Sequence, residues 1–388
     1  MNRNVLHFVR KTSQLKATFI NDQITKHERY NPFVVVKERI EKLYDGGFAD
    51  FDFEKSKVLL LDQNKDFSYK YRKKICNPDK IRIFNYIREN NISILHFHYG
   101  TDAGLYYEIM KESKLPSVVS FYGYDASSFP KAYFGLGKVF LKKRVFKNAT
   151  RVLAMSEDMK KDFMNIGCEE EKIIVHYYGV NGEIYFYPER KYTDKEKVIL
   201  LDVCSLVPQK GHLFLLKGIN ELVKKGIKNF ELRIVGTGEM KSSLINFVRE
   251  NNLKEYVIFL GAMKAHSEEI LREYKNAEIF VHPSVIPENG DKEGIPGTIS
   301  EAMFSGLPVV STYHAGIPYI IEDGKTGLLV KEWDLGKLSD AILLLINDVN
   351  IRERIGRSAQ KNAKENLDLK LREEELEKIY DSLIIINF

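Results

Sequence analysis

The chain has 388 residues, with 59 Lys+Arg against 54 Asp+Glu, 44% apolar and 29% charged. That length exceeds what one hydrophobic core organises, so two domains are expected, and the composition excludes a disordered or fibrous chain. No apolar run approaches the roughly 18–20 residues that cross a bilayer, and no secretory signal pattern opens the chain. Cys76, Cys168 and Cys204 lie far apart without metal-ligand spacing, as suits reduced thiols in a cytoplasm.

Short β-branched runs alternate with helical periodicity, the pattern of βαβ units and parallel sheets. Strands are expected at Val5–Val9, Lys57–Leu61, Ile94–His98, Ser117–Phe121, Arg151–Ala154 and Ile173–His176, with helices at Gly104–Ser113 and Ser156–Ile166. The pattern breaks at Tyr187–Lys197, where Pro188 and a run of charges mark a linker. It restarts with strands at Val198–Val203, Glu231–Val235, Val257–Leu260, Glu278–Val281, Pro308–Ser311 and Gly327–Val330. Helices fit Leu213–Lys225, Lys241–Glu250, Ser267–Lys275, Thr298–Ser305 and Leu335–Asp348, and Leu367–Leu383 reads as a last amphipathic helix. Two doubly wound units are expected to leave a cleft between their sheet edges, with ligands at the carboxyl ends of strands. Charge is uneven: residues 1–190 hold 32 Lys+Arg against 24 Asp+Glu, and the remainder is slightly acidic. The basic half suits an anionic partner, and a membrane-proximal acceptor ranks above nucleic acid because no RNA-binding aromatic motif or zinc finger is present.

The densest constellation is His282-Pro283-Ser284, then Glu288 through Gly297, then Thr298–Met303. Glu293 falls in a Gly/Pro-rich loop, and Glu301 one turn into the helix that follows. Free backbone N–H groups around Gly297–Ser300 make an anion site, and two flanking carboxylates can accept hydrogen bonds from sugar or ribose hydroxyls. A nucleoside-diphosphate sugar needs that combination. Spacing alone equally permits a turn, a helix start and two solvated glutamates.

Glu293-Gly294-Ile295-Pro296, followed by Glu301-Ala302-Met303, Ser305–Thr312 and Gly324–Val330, resembles the donor signature of retaining family-4 glycosyltransferases of the GT-B fold. The stretch Asn289–Glu293 is similar to the colanic-acid-type exopolysaccharide subgroup. Gln14–Ile20, His96–Gly100, Ser120–Ser127, Ala154–Ser156 and Gly179–Asn181 resemble that subgroup's first-domain markers. The resemblance implies an α/β GT-B chain with two Rossmann-like doubly wound domains facing a cleft. Residues 1–187 would form the acceptor side, 188–365 the donor domain, and 366–388 a helix crossing back to the first. It implies that Glu293 holds donor-sugar hydroxyls, Glu301 the ribose, and Lys210 the diphosphate in place of a metal ion. Ser205, Gly236, Gly294, Ile295, Pro296, Gly297 and Thr298 would complete the donor site, and Tyr122 and His98 would serve with Glu293 in catalysis. The reaction implied is hexosyl transfer with retention and no metal or cofactor, the leaving diphosphate helping to deprotonate the incoming hydroxyl. The donor would be a UDP-sugar ahead of a GDP-sugar, and the acceptor a growing surface glycan or lipid-linked glycan at the inner face of the membrane.

Three positions depart from the pattern. Ser205 stands where an arginine is usual, Tyr122 replaces a histidine in Tyr122-Gly123-Tyr124-Asp125, and Tyr319 stands where a glutamate often follows the Gly-Ile-Pro turn. A hydroxyl cannot supply a guanidinium's charge, and tyrosine is not an equivalent base. A weakly catalytic binding subunit, or a nucleotide-sugar epimerase on the same architecture, are the alternative readings. Gly236-Thr237-Gly238 reads as a tight strand-to-helix turn, since Lys241 breaks a dinucleotide fingerprint. His96 and His98 share a strand face without an apparent third ligand. Phe134–Lys147 interleaves Val139, Phe140, Val145 and Phe146 with five basic residues and reads as a helix, either lying on an anionic membrane or packed with its basic side solvated.

Overall fold

The computed structural model describes residues 3–39, 51–52, 57–61 and 67–385, so the outermost residues of the expected first and last segments lie outside the described residues. The chain divides into two compact units. Among the described residues, unit one takes those up to Gly179 together with Lys370 onward, and unit two takes Val180–Leu369.

Unit one is built on seven parallel strands: β1 (Asn4–Lys11), β2 (Asn31–Glu38), β3 (Lys57–Leu60), β4 (Ile94–His98), β5 (Ser117–Ser120), β6 (Arg151–Ala154) and β7 (Ile173–Val175), in the order β3-β2-β1-β4-β5-β6-β7. The order reverses between β1 and β4, and in such sheets that reversal opens the crevice where ligands bind. Register sets His7 of β1 beside His96 of β4. The final helix, Leu369–Ile385, belongs to this unit: Leu376, Tyr380 and Leu383 pack on Val5, Ile94, Val118 and Leu153 of the sheet.

Three expectations are corrected in unit one. β2 is absent from the expected strands, because Pro32 opens it and Lys37-Glu38 closes it, leaving a run of only Phe33–Val36. Proline is tolerated at a strand's start, and Lys37 is buried against Asp79 at 2.6 Å instead of facing water. The helix expected over Gly104–Ser113 is two helices, Gly100–Leu105 and Tyr107–Ser113. Gly100 and Gly104 press against the rings of Phe121 and Phe140, where an added Cβ would lie 2.1 Å from each, and these contacts fix the first helix independently of the second. Phe134–Lys147 is not one regular helix. Tyr133, Phe134 and Gly135 are left-handed, and Leu141–Phe146 winds as a π-helix that buries Leu141, Val145 and Phe146. Phe134, Leu136 and Val139 are exposed.

Unit two repeats the plan with β8 (Val198–Val203), β9 (Phe230–Val235), β10 (Val257–Gly261), β11 (Ile279–His282), β12 (Val309–Thr312) and β13 (Leu328–Val330), ordered β10-β9-β8-β11-β12-β13. All are parallel, and the central β8 and β11 are nearly continuous apolar runs, as strands covered on both faces are. The reversal falls between β8 and β11. Its core joins Leu200, Leu232, Ile234 and Val281 to Phe214, Leu215, Ile219 and Ile342. Segment 187–197 has no strand or helix, yet it is strapped to this unit. Arg190 donates to the carbonyls of Ala277 (2.7 Å), Tyr274 and Ser305, and the Tyr192 hydroxyl donates to Gly306 O at 2.6 Å. A helix absent from the sequence expectations, Val349–Asn366, follows Asp348, whose side chain caps it. Its inward residues include Gly356, Ala359 and Ala363, too small for a strong apolar periodicity; Gly356 comes so near Gly306 O that a Cβ would sit 2.4 Å away. Among the described residues no helix is long and apolar enough to cross a membrane.

Candidate donor and acceptor sites

In unit two the predicted residues converge at the carboxyl ends of β8 and β11. Beyond β8 the chain turns through Pro208–Lys210 into Gly211. Its φ of 70°, and its approach to Pro283 O, which an added Cβ would meet at 1.9 Å, admit glycine only. The turn is tied to the exit of β11 by Val285 N–H donating to Gln209 O at 2.9 Å. This delivers Lys210 Nζ to Glu293 Oε2 at 2.8 Å, with both side chains mostly buried. Burial alone would raise the Glu293 carboxyl, but the Lys210 ammonium overrides it and holds the group below its usual range; Glu293 in turn raises Lys210 against burial. Both charges therefore persist at neutral pH.

The backbone of Glu293 is fixed by a separate chain of bonds. Its N–H donates to His314 Nε2 (3.1 Å), which leaves the ring proton on Nδ1 to be donated to Glu332 Oε1 (2.7 Å), and Glu332 also accepts from Ile286 N–H (2.7 Å). Gly316 N–H donates to Gly294 O at 3.2 Å, with no room for a side chain at Gly316. Pro296 then starts the helix Gly297–Phe304 with no side-chain cap. Buried hydroxyls of Thr298 and Ser284 have no protein hydrogen-bond partner. Glu301 is half-buried and accepts from the Tyr274 hydroxyl at 2.6 Å. Ser205 is exposed at the end of β8, and Gly236 (φ 146°) lets the exit of β9 approach Cys204 O, which a Cβ would meet at 1.8 Å. Gly294, Ile295 and Pro296 are buried, and Tyr319 is exposed.

Sequence reading missed the charges beneath this pair. Asp202, fully buried on β8, accepts from His282 Nδ1 (2.9 Å) and lies 3.3 Å from His212 Nε2. Burial works to raise its carboxyl, but the two imidazoles hold it below the usual range. Asp202 sits in the apolar run Val198–Val203, where a carboxylate is the conspicuous exception.

In unit one Tyr122 is partly exposed and His98 fully buried behind it, with His98 Nδ1 at 2.7 Å from the Tyr122 hydroxyl. Asp125 fixes the Tyr122 loop, accepting from the N–H groups of Gly100 (2.7 Å), Tyr122 (3.2 Å) and Gly123 (3.3 Å); burial pushes its carboxyl up to about 6 against those donors. Gln14, in the 3-10 helix Thr12–Lys16 after β1, accepts from Arg10 and Lys11 N–H and donates to Asp102 at 2.7 Å. The third imidazole that the sequence did not reveal is His7, 3.1 Å from His98 Nε2 through Nδ1, and a fourth, His27, lies 3.1 Å from His7 Nε2. These nitrogens are engaged with one another, ring to ring, as a chain.

A seven-stranded and a six-stranded doubly wound parallel sheet in one chain are the two Rossmann-like units of the GT-B fold. The family description "Glycosyltransferase Family 4" matches residues 57–183 and "Glycosyl transferases group 1" matches residues 186–362, and the chain belongs to this family of glycosyltransferases. It is 31% identical over 200 residues to the putative colanic acid biosynthesis glycosyltransferase WcaL of Escherichia coli K12, covering 52% of this chain and 48% of WcaL. It is 31% identical over 264 residues to the amylovoran biosynthesis glycosyltransferase AmsK of Erwinia amylovora, covering 66% of this chain and 61% of AmsK. The chain thus spans about half to three-fifths of the length of these relatives. Among solved structures, Anabaena Alr3699/HepE in complex with UDP and glucose superimposes with a TM-score of 0.77 at 17% identity, covering 98% of this chain and all of that one.

Proposed function

We propose that this chain transfers a hexosyl residue from a nucleotide-diphosphate sugar, a UDP-sugar ahead of a GDP-sugar, to a hydroxyl of a glycan or lipid-linked acceptor, with retention of configuration, in surface polysaccharide biosynthesis. The observation that carries the reading is the Lys210–Glu293 pair beside an uncapped helix start. An anionic diphosphate at that helix start meets backbone N–H groups and the Lys210 ammonium, which together stabilise the charge that develops on the leaving group without a metal ion. Glu293, held ionised and with its backbone locked, accepts from sugar hydroxyls, while Glu301 accepts from the ribose. The unpartnered Thr298 hydroxyl supplies a further donor. Tyr122 and His98 serve the incoming hydroxyl in unit one. The names of WcaL and AmsK support a surface-polysaccharide role, and the UDP and glucose bound by HepE support a UDP-sugar. A cytoplasmic chain working at the inner face of the membrane fits such an acceptor.

The test is product formation from a panel of UDP-, GDP- and ADP-sugars in excess chelator, with and without a glycan acceptor. Transfer is expected to need the acceptor and to survive chelation. Glu293→Gln leaves Lys210 a neutral acceptor and is expected to cut turnover about 30- to 1,000-fold, or about 2–4 kcal/mol. A folded variant with wild-type turnover removes Glu293 from the donor site.

A further inference from the structure

Among the described residues, two clusters bring three metal-ligating atoms within 4.8 Å of one another: His7, His96 and His98 in unit one, and Asp202, Cys204 and His212 in unit two. The first is committed elsewhere. Both nitrogens of His96 are taken, one by the Tyr380 hydroxyl and one by Ser120 Oγ at 2.8 Å. Its ring also stacks on that of His98, with centroids 4.5 Å apart. Imidazole lone pairs lie in the ring plane, so stacked rings aim them past one another and not at one ion.

The second cluster is built by the fold. Asp202 lies on β8, and Cys204 N–H continues the ladder beyond it, donating to Val235 O at 3.0 Å, so the two side chains share a face. The chain then loops through Ser205 and Lys210 and returns at His212, the first residue of the helix His212–Lys224. Gly211, pressed against Pro283 O, fixes that return. Cys204 Sγ lies 3.2 Å from His212 Nε2 and 3.8 Å from Asp202 Oδ2, and the nitrogen and oxygen are 3.3 Å apart. Zinc binds thiolate sulfur at about 2.3 Å and imidazole nitrogen or carboxylate oxygen at about 2.0–2.2 Å. Three such ligands at tetrahedral angles are about 3.3–3.6 Å apart, so this triangle is within a few tenths of an ångström of the required one. The other Asp202 oxygen accepts from His282 Nδ1 at 2.9 Å, the outer bond that orients a ligating carboxylate. Cysteine spacing could not show the site, because its other ligands are an aspartate and a histidine.

We propose that Asp202, Cys204 and His212 bind one thiophilic divalent cation of the zinc class, a staple that ties together the two ends of the Lys210 loop. A thiolate, an imidazole and one carboxylate select such an ion over magnesium or calcium, which take oxygen ligands. Protons balance. On binding, the Cys204 S–H bond breaks as sulfur bonds the ion, and its proton leaves to solvent. His212, which burial holds below its ordinary range, is neutral and moves its ring proton from Nε2 to Nδ1. Ionised Asp202 gives up no proton. Two positive charges thus meet one carboxylate and one thiolate, the buried site ends neutral, and water fills the fourth position.

Two observations set the strength. Burial pushes the Cys204 thiol far above its ordinary range, with Asp202 adding to it, so the ion has to displace a proton. His212 Nδ1 is buried without a hydrogen-bond partner, so a ligating His212 lacks the outer bond that resident metal sites supply. That loss weakens binding by about 10- to 100-fold. The site therefore exchanges its ion, with a Kd on the order of micromolar, unlike a permanent structural centre. The staple is also separate from the chemistry: Lys210 Nζ stays on Glu293, and transfer proceeds with the site empty. Chelation removes the staple and leaves the reaction.

The test is titration of the chelator-treated full chain with Co²⁺. Its thiolate charge-transfer absorption reports a Co–S bond, and its visible bands report tetrahedral geometry. One equivalent is expected to bind with both signals, releasing one proton at neutral pH. Cys204→Ser should abolish the charge-transfer band and weaken binding at least about 10-fold, whereas Cys76→Ser should leave both intact. Zn²⁺ should displace Co²⁺, and at about 100 times its Kd should raise the melting temperature of unit two by about 5 °C, a shift missing in Cys204→Ser. Without any variant, anomalous scattering from zinc in crystals of the unaltered chain should peak between Cys204, His212 and Asp202. A peak elsewhere, Co²⁺ bound without the thiolate band, a band that survives Cys204→Ser, or no binding at millimolar Co²⁺ would each overturn the site. A chain that transfers sugar but binds no Co²⁺ keeps the glycosyltransferase reading and loses this one. A chain that binds Co²⁺ at Cys204 and transfers nothing does the reverse.

Discussion

The two sheet reversals occupy the same topological place and treat charge in opposite ways. At the β8/β11 reversal of unit two, charges survive burial because each has an opposite partner: Glu293 and Asp202 are held below the ordinary range and Lys210 above it. At the β1/β4 reversal of unit one, burial prevails and drives groups neutral: His7 and His96 fall far below their ordinary value and His98 falls to about 3; beyond β7 His176 also falls to about 3, and beyond β5 Asp125 rises to about 6 against its backbone donors. Topology places a crevice, and the side chains lining it decide whether charge survives burial there. Paired charges suit a diphosphate, whereas neutral, hydrogen-bonded rings suit a hydroxyl.

The largest expected difference between the regions is in acid. Above about pH 6.5 the lowered histidines of unit one are neutral whether folded or not, and they affect stability little. Below that, the unfolded chain takes up protons that His98 and His176 refuse in the fold until about pH 3, so stability falls with pH at about 1.4 kcal/mol per pH unit for each such ring. Asp22 and Asp125, both raised to about 6, work in the other direction between about pH 6 and 4 and offset part of the loss. In unit two His212 is lowered, and the depressed carboxyls of Glu293 and Asp202 lose their contribution only below about pH 4. Amide exchange followed from pH 7 to 4.5 should therefore show unit one losing protection first. Simultaneous loss would break the comparison.

A smaller effect is expected on the anion side. Lys210→Ala removes the cation of the pair and should weaken a nucleoside diphosphate by about 1.5–3 kcal/mol in calorimetry, while leaving the acid response of unit one unmoved. Unchanged affinity would place Lys210 away from the phosphates. Smallest of all, Ser205→Arg should tighten the same ligand by about 1 kcal/mol, and less so in the Lys210→Ala background if the two cations share one phosphate. No change in either background would set Ser205 outside the site.

Much of this is legible in the residues alone. Apart from β2, the strands need no more than a β-branched run between turn residues, and Lys210 and Glu293 meet because each lies beyond a strand of one sheet. What escaped has physical causes. β2 hid because Lys37 reads as a surface residue although it is buried against Asp79. The helix Val349–Asn366 hid because small residues face inward. Asp202 was visible as a carboxylate inside an apolar strand, but its partners His212 and His282 come from two other elements. The His7–His27–Glu373 cluster joins a strand, a loop and the last helix, and no local period could announce it. Glu373 and Glu377 do fall on the face of that helix that carries Leu376 and Tyr380, and two acids on an apolar stripe were a signal to look for bases elsewhere.

The placement of that last helix also bears on how the protein is made. Val5, Ile94, Val118 and Leu153 are translated early, but the residues that cover them, Leu376, Tyr380 and Leu383, emerge only after all of unit two. The strands of unit one must therefore wait on the ribosome with an apolar face uncovered, and His27 and Arg29 wait with them for Glu373 and Glu377. The described residues of unit two run without a break from Val180 to Leu369 and have no such delay. Although unit one leads in translation, it is the second to be completed, and its uncovered sheet is the surface that a nascent-chain chaperone would hold.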